Sequence, residues 1–137
     1  KGRFLLVEEV ADGEVVFNQP AGHLEAGESL IDAARRETLE ETGWEVEVEK
    51  FLGLYYYMSP GNQVCYLRSC FSARPIQHHI DRSLDTEIIS THWLPIEAIR
   101  KLGDRLRSPV VLRVVEDYLS GQAYPLSLVT TFLPQHT

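Results

Sequence analysis

The 137-residue chain predicts a layered α/β domain. Three observations carry that expectation. The runs 3–10 (RFLLVEEV) and 14–18 (EVVFN) are strand-like, and Ala11-Asp12-Gly13 between them holds the Asp-Gly signal of a β-hairpin. Residues 30–42 (LIDAARRETLEET) have helical spacing, with Ser29 suited to the N-cap and Gly43 to the C-terminal cap. A second helical stripe, Val110, Val111, Val114, Val115, Tyr118 and Leu119, follows Ser108-Pro109 and stops at Gly121.

The remaining elements follow in order. QPAGHLEAGE is a loop punctuated by Pro20, Gly22 and Gly27. Trp44 to Tyr57 is rich in strand formers, and Ser59-Pro60-Gly61-Asn62 reads as a turn. Gln63 to Ala73 alternates like a strand, and the polar stretch 75–87 reads as loop. Ile88 to Leu94 is a further strand, and a short helix over 96–102 follows Pro95. The tail, 122–137, reads as irregular or extended. One domain over 1–137 is expected, with no repeats.

Composition narrows the function classes. The chain is 44% hydrophobic and 24% charged, an ordinary profile for a globular protein with a real core. The formal net charge of −7 argues against stable nucleic-acid binding, which draws on Lys and Arg to neutralise phosphates. Anionic small molecules stay open if a bound cation supplies local charge. There is no apolar run of about 18 residues, the length of a membrane helix. Cys65 and Cys70 share one predicted strand on opposite faces, so they are expected as reduced, core or half-buried thiols. A cytoplasmic monomer is the expectation.

The stretch RRETLEETG, residues 35–43, is the unusual feature. It puts Glu37, Glu40 and Glu41 on one helix, where like charges at i, i+4 are destabilising. At 100° per residue, Glu37 and Glu41 fall beside Leu30 and Ala34 at the margin of the packed face. Glu40 falls on the flank away from the core. Carboxylates crowded at such a margin need compensation. Arg35 and Arg36 could provide it, or a divalent cation such as Mg²⁺, which takes hard oxygen ligands and substrate phosphates. The Gly-rich loop before the helix could offer a backbone carbonyl.

The full pattern is Gly22-x5-Glu28-x7-Arg36-Glu37-x2-Glu40-Glu41-x-Gly43. It resembles the Nudix hydrolase signature at every fixed polar or glycine position. A chance match at one site is on the order of 10⁻⁸ at ordinary residue usage. Thr38 departs from the aliphatic residue common there, and Trp44 fills the last aliphatic position. FNQPAGHLEAGESL, RSP at 107–109 and SGQAYPL at 120–126 are similar to the bacterial NudJ phosphatase subfamily.

The resemblance implies an α/β/α sandwich with a mixed sheet, and a further strand before Lys1. It implies Mg²⁺, with Mn²⁺ as an alternative, held by Glu37, Glu40, Glu41 and the Gly22 carbonyl. Arg36 would orient the carboxylates, and Glu28 would brace the turn from loop to helix. The reaction implied is hydrolysis of a diphosphate linked to another moiety. Substrates would be nucleoside tri- and diphosphates or thiamine-type pyrophosphates, with inorganic phosphate released. Two alternatives stand: a pyrophosphohydrolase releasing a monophosphate from nucleotides, ADP-ribose or dinucleotides, and a Nudix-fold module that binds nucleotides without cleaving them.

Other residues are read individually. Glu40, Glu41 or Glu87 could serve as general base; Glu87 could equally be a solvated loop residue. Arg68 could contact a substrate phosphate or pair with a carboxylate. Phe17 could stack on a substrate ring or pack in the core. His23 is read chiefly as a loop residue, and His78-His79 as surface residues pointing apart. Tyr55, Tyr56 and Tyr57 cannot all face one side of a strand.

Overall fold

The computed structural model describes residues 2–134. Strands β1 (Phe4–Ala11) and β2 (Glu14–Asn18) form the expected hairpin. Asp12 and Gly13 both have positive φ, 53° and 79°, the backbone twist that a two-residue hairpin loop requires. Helix α1 (Leu30–Thr42) leads into a long antiparallel ribbon of β3 (Trp44–Met58) and β4 (Cys65–His78). Then come β5 (Ile88–Leu94), α2 (Ile96–Leu102) and α3 (Pro109–Leu119), with 3₁₀ turns at Gly103–Arg105 and Leu126–Leu128.

The strands form two sheets, ordered β2-β1-β5 and β3-β4. All their ladders are antiparallel. The parallel component expected of a mixed sheet is confined, among the described residues, to a bridge between Phe17 and Leu106.

The helix ends are built as their residues dictate. Ser29 Oγ accepts from the Asp32 N–H at 3.0 Å, and Gly43 takes φ 76° while its N–H reaches the Leu39 carbonyl. Ser108 caps α3 with Pro109 at its first position. Inside α1, the Thr38 hydroxyl donates to the Ala34 carbonyl at 2.7 Å. That bond explains how a hydroxyl occupies an aliphatic position without an unmet donor.

Two expectations are corrected. Strand β4 runs on to His78, through the part of 75–87 read as loop. Pro75 lies opposite Val46, where the ladder shifts register, and such an irregularity lets a strand carry proline. At its other end β4 starts at Cys65, because Gln63 has φ 59° and belongs to the turn. The irregular tail is pinned at one point, where Phe51 and Tyr124 exchange backbone bonds of 2.9 and 2.8 Å. The part of the tail reading that covers 135–137 lies outside the described residues.

The core gathers Leu6, Phe17, Ile99, Val111 and Val115 between the β1 sheet and helices α2 and α3. A second cluster, Leu52, Cys70 and Val114, joins α3 to the β3–β4 ribbon. Both cysteines are free, with Cys70 buried and Cys65 exposed. Cys65 is thus more open than the half-buried thiol expected. No described helix is long and apolar enough to cross a membrane.

Ile99 is fully buried where α2 meets both α3 and the sheet. Ile99→Ala should cost about 2–5 kcal/mol of stability, the range for truncating a packed aliphatic side chain. Urea unfolding checks this; a loss under about 1 kcal/mol would show that the site collapses or is not core.

Candidate active site

Strand β2 ends at Asn18, and the chain crosses to α1 through residues 19–29. This loop packs on the glutamate face of the helix. The Ala21 N–H donates to Glu41 Oε1 at 3.1 Å. Gly22 lies against the Glu37 carboxylate so closely that an added Cβ would overlap it. Only glycine allows that approach.

Arg36 ties loop and helix together. Its Nε and Nη2 grip Glu28 at 2.7 and 3.0 Å in a two-point fork. Nη1 donates to Glu37 Oε1 at 2.5 Å and to Glu40 Oε1 at 3.1 Å. Nη2 also reaches the His23 carbonyl at 2.9 Å. Glu28 therefore stays below the usual carboxylate range, chiefly through Arg36, and the guanidinium is held firmly charged, chiefly through Glu28. Arg35 makes only an exposed 3.9 Å pair with Asp32.

The glutamates differ in burial as the helical wheel requires. Glu41 is 5% exposed, and the side chains of Glu37 and Glu40 are 12% and 33% exposed. Burial pushes the Glu41 carboxyl up to about 9, aided by its hydrogen bond to Glu37 and by the charges of Glu37 and Glu9. At neutral pH this carboxyl holds a proton unless a cation takes its place.

One site residue escaped the sequence reading. Glu37, Glu40 and Asp85 each bring a carboxylate oxygen within 4.8 Å of the others. The Asp85 N–H donates to the Glu40 carbonyl at 3.1 Å, fixing the 79–87 loop to the last turn of α1. Burial, followed by the charges of Glu87 and Glu40, raises its carboxyl above the ordinary value. An acidic residue two positions before Glu87 was the available signal. All donors here are hard oxygens, the chemistry that suits Mg²⁺. Glu41 reaches this group through Glu37, and Gly22 closes it on the loop side. The residues present fit a divalent cation.

The carboxylates open onto a cleft of about 1730 Å³, which is also lined by Glu87, Arg68 and Arg107. Glu87 is exposed on its wall and accepts from Thr86 Oγ1 at 3.4 Å. Among the described residues Arg68 pairs with no carboxylate; its Nη1 donates to Asn18 Oδ1 at 3.1 Å and Gln19 Oε1 at 3.2 Å. Phe17 is 6% exposed within the core, with Arg105 over its ring. Its burial corrects the substrate-stacking reading in favour of packing.

His23 is exposed and contributes its backbone carbonyl. His78 stacks on Trp44 at 4.5 Å, while His79 meets Glu45 at 3.2 Å, so the pair serves the surface. Tyr55 and Tyr57 line the cleft, whereas Tyr56 is exposed and bonds Cys65.

Comparison with known proteins agrees with this geometry. Residues 1–114 match the model of the NUDIX domain. The chain is 39% identical over 132 residues to Phosphatase NudJ of Shigella boydii, covering 96% of this chain and 85% of the relative. The Escherichia coli K12 protein of that name is 38% identical over the same spans. A solved NUDIX hydrolase from Nitrosomonas europaea superposes with a TM-score of 0.94 at 41% identity, covering 96% of this chain and 90% of that one.

Two outcomes follow from the Glu41 and Gly22 environments. Glu41 is protonated more readily folded than unfolded, where its value is near 4.5. Its contribution to stability is therefore fully present below about 4.5 and is lost as pH rises towards about 9. A cation replaces the proton, so Mg²⁺ should raise the unfolding midpoint more at pH 9 than at pH 6. Thermal unfolding in chelator and in Mg²⁺ tests this, and Glu41→Gln should flatten the difference. Gly22→Ala should displace Glu37 and weaken Mn²⁺ binding by about 10- to 100-fold, measured by electron paramagnetic resonance. Unchanged affinity would show that the loop yields easily.

Proposed function

The chain belongs to the Nudix hydrolase family, and we propose that it is a Mg²⁺-dependent hydrolase releasing inorganic phosphate from nucleoside tri- and diphosphates or thiamine-type pyrophosphates. One observation carries the reading: the whole carboxylate set converges on the cleft, with Arg36 and Gly22 in place to hold it. A binding module without catalysis has no need of a complete set. The NudJ relatives are named as phosphatases, which supports orthophosphate as the product.

Each residue has a distinct part in this mechanism. Glu37, Glu40, Glu41 and the Gly22 carbonyl would hold the cation, with Asp85 as a further oxygen donor. Mn²⁺ suits the same oxygen set. The cation supplies charge neutralisation to the phosphate oxygens and acidifies water beside them. Arg36 fixes the carboxylate directions, so little reorganisation remains when charge develops at phosphorus. Water attacks one phosphorus atom of the anhydride, its proton passes to a carboxylate, the P–O bond to the bridging oxygen breaks, and that oxygen leaves on the other phosphate.

The base is one of Glu40, Glu41, Asp85 and Glu87. Glu87 is the most exposed of the four, and its carboxylate accepts a single long hydrogen bond, from Thr86. Its carboxylate is free to turn towards water in the cleft.

Incubation with Mg²⁺ and ATP, ADP, thiamine pyrophosphate, ADP-ribose or a diadenosine polyphosphate tests the reading, with orthophosphate and pyrophosphate followed separately. Orthophosphate from the first three is expected, falling at least about 100-fold in Glu41→Gln. Cleavage restricted to ADP-ribose or the dinucleotide would replace this substrate class with that of a pyrophosphohydrolase. Saturable nucleotide binding without turnover would leave a binding module. Glu87→Gln and Asp85→Asn then separate the candidate bases, because only loss of the base removes the acidic limb of the pH–rate profile.

A further inference from the structure

The acidic half of the cleft has a basic counterpart. Arg68 stands mid-strand in β4, and burial disfavours its charge. Even so, no carboxylate pairs with it among the described residues. Its two protein acceptors, Asn18 Oδ1 and Gln19 Oε1, are neutral and both engage Nη1. Among the described residues its Nε and Nη2 have no side-chain partner. No buried side-chain polar atom lacks a hydrogen bond among the described residues, so these donors are not sealed away; they open to the cleft that Arg68 lines.

The amides are themselves held in place. Asn18 Nδ2 donates to Glu9 Oε2 at 3.4 Å, and Gln19 Nε2 donates to the Val111 carbonyl at 2.7 Å. That fixes which end of each amide faces the guanidinium. Arg107 lines the same cleft. Its N–H donates to the Phe17 carbonyl at 2.8 Å, its side chain lines the cleft, and it too forms no ion pair among the described residues. Arg68 and Arg107 feel each other's charge, and each acts on Glu9. Glu9 is a buried carboxylate on which both guanidiniums act, and burial raises its carboxyl above the ordinary value. A protein of net charge −7 thus places two guanidiniums with no ion-pair partner among the described residues in one cleft.

That spot adjoins the carboxylates. Gln19 holds Arg68, and Ala21, two residues on, holds Glu41. Two residues of chain span at most about 7 Å.

We propose that Arg68 and Arg107 form a phosphate subsite that binds the terminal, unesterified phosphate of the substrate, while the carboxylate cluster addresses the neighbouring phosphate through its cation. The proposal rests on the hydrolase reading of that cluster. It deepens that reading by giving a physical reason for the substrate class. A terminal phosphate carries two charges and three free oxygens, which two guanidiniums can meet. A diphosphate capped by sugars at both ends, as in ADP-ribose, offers only singly charged phosphates, each bonded to a sugar and to the bridging oxygen. Asn18 and Gln19 are positioning residues that aim Arg68.

Calorimetry with Mg²⁺ and the methylene-bridged analogue of ADP, which cannot be hydrolysed, tests this without turnover. ADP-ribose and orthophosphate serve as comparison ligands, and Mn²⁺ affinity serves as the check on the carboxylates. Arg68→Gln and Arg107→Gln should each weaken the analogue and orthophosphate by about 10- to 100-fold, the loss expected for hydrogen bonds between charged groups. ADP-ribose should change less than about threefold, and Mn²⁺ should be unaffected. Arg68→Lys, which keeps charge but loses the fork, should recover part of the affinity. Unchanged binding of the analogue in both Gln variants, or equal losses for the analogue and ADP-ribose, overturns the subsite. Selective loss in a protein that turns over none of the substrates would keep the subsite and remove the hydrolase reading instead.

Discussion

The fork between Arg36 and Glu28 is the contact on which the rest of the site depends. Helix α1 places three carboxylates on adjoining faces, and neither its hydrogen bonds nor its packing favours that arrangement. A lysine could supply one charge at one point. The guanidinium instead offers five N–H groups in a fixed plane. Two are used on Glu28, which pins the loop to the helix, and the others reach Glu37, Glu40 and the His23 carbonyl. Charge compensation and loop position are thus one interaction. Because the loop is held, Gly22 can lie against Glu37 and Ala21 can cap Glu41.

Compensation by Arg36 is nevertheless partial. One guanidinium faces Glu28, Glu37 and Glu40, while Glu41 has only a backbone N–H and a shared proton. The cluster keeps a surplus of negative charge at the cleft wall, and Asp85 adds to it. A protein built only for stability would relax such a surplus by turning one side chain to water. Here burial of Glu41 and the close approach of Gly22 prevent that. A proton on Glu41 relieves the surplus below about pH 9, and a bound cation would relieve it in the proton's place.

Much of this was legible in the sequence because it is local. The hairpin at Asp12-Gly13, the caps at Ser29 and Gly43, and the differing burial of Glu37, Glu40 and Glu41 all follow from spacings within one element. What was missed depends on pairing between distant segments. Strand β4 outruns its alternating pattern because a register shift opposite Val46 accommodates Pro75. Asp85 joins the carboxylates only because its N–H finds the end of α1, some 45 positions earlier in a chain where Asp85 bonds Glu40. The choice at Phe17 between stacking and packing turned on burial by α2 and α3, which no window around residue 17 contains. The choice at Arg68 turned on amides 49 and 50 positions away.

The two charged halves of the cleft are connected by a short piece of chain, residues 19–21. Gln19 orients a cation and Ala21 steadies an anion, and between them Pro20 removes one backbone freedom. A substrate lying across this segment would meet positive charge at one end and carboxylates with their cation at the other. Its phosphates would then be distinguished by ionisation as well as by position. That polarity needs no close enclosure, which agrees with a wide cleft that leaves the remainder of the substrate loosely held. The discrimination would lie in the diphosphate itself, so that molecules with unrelated organic parts could be accepted while doubly capped diphosphates are disfavoured.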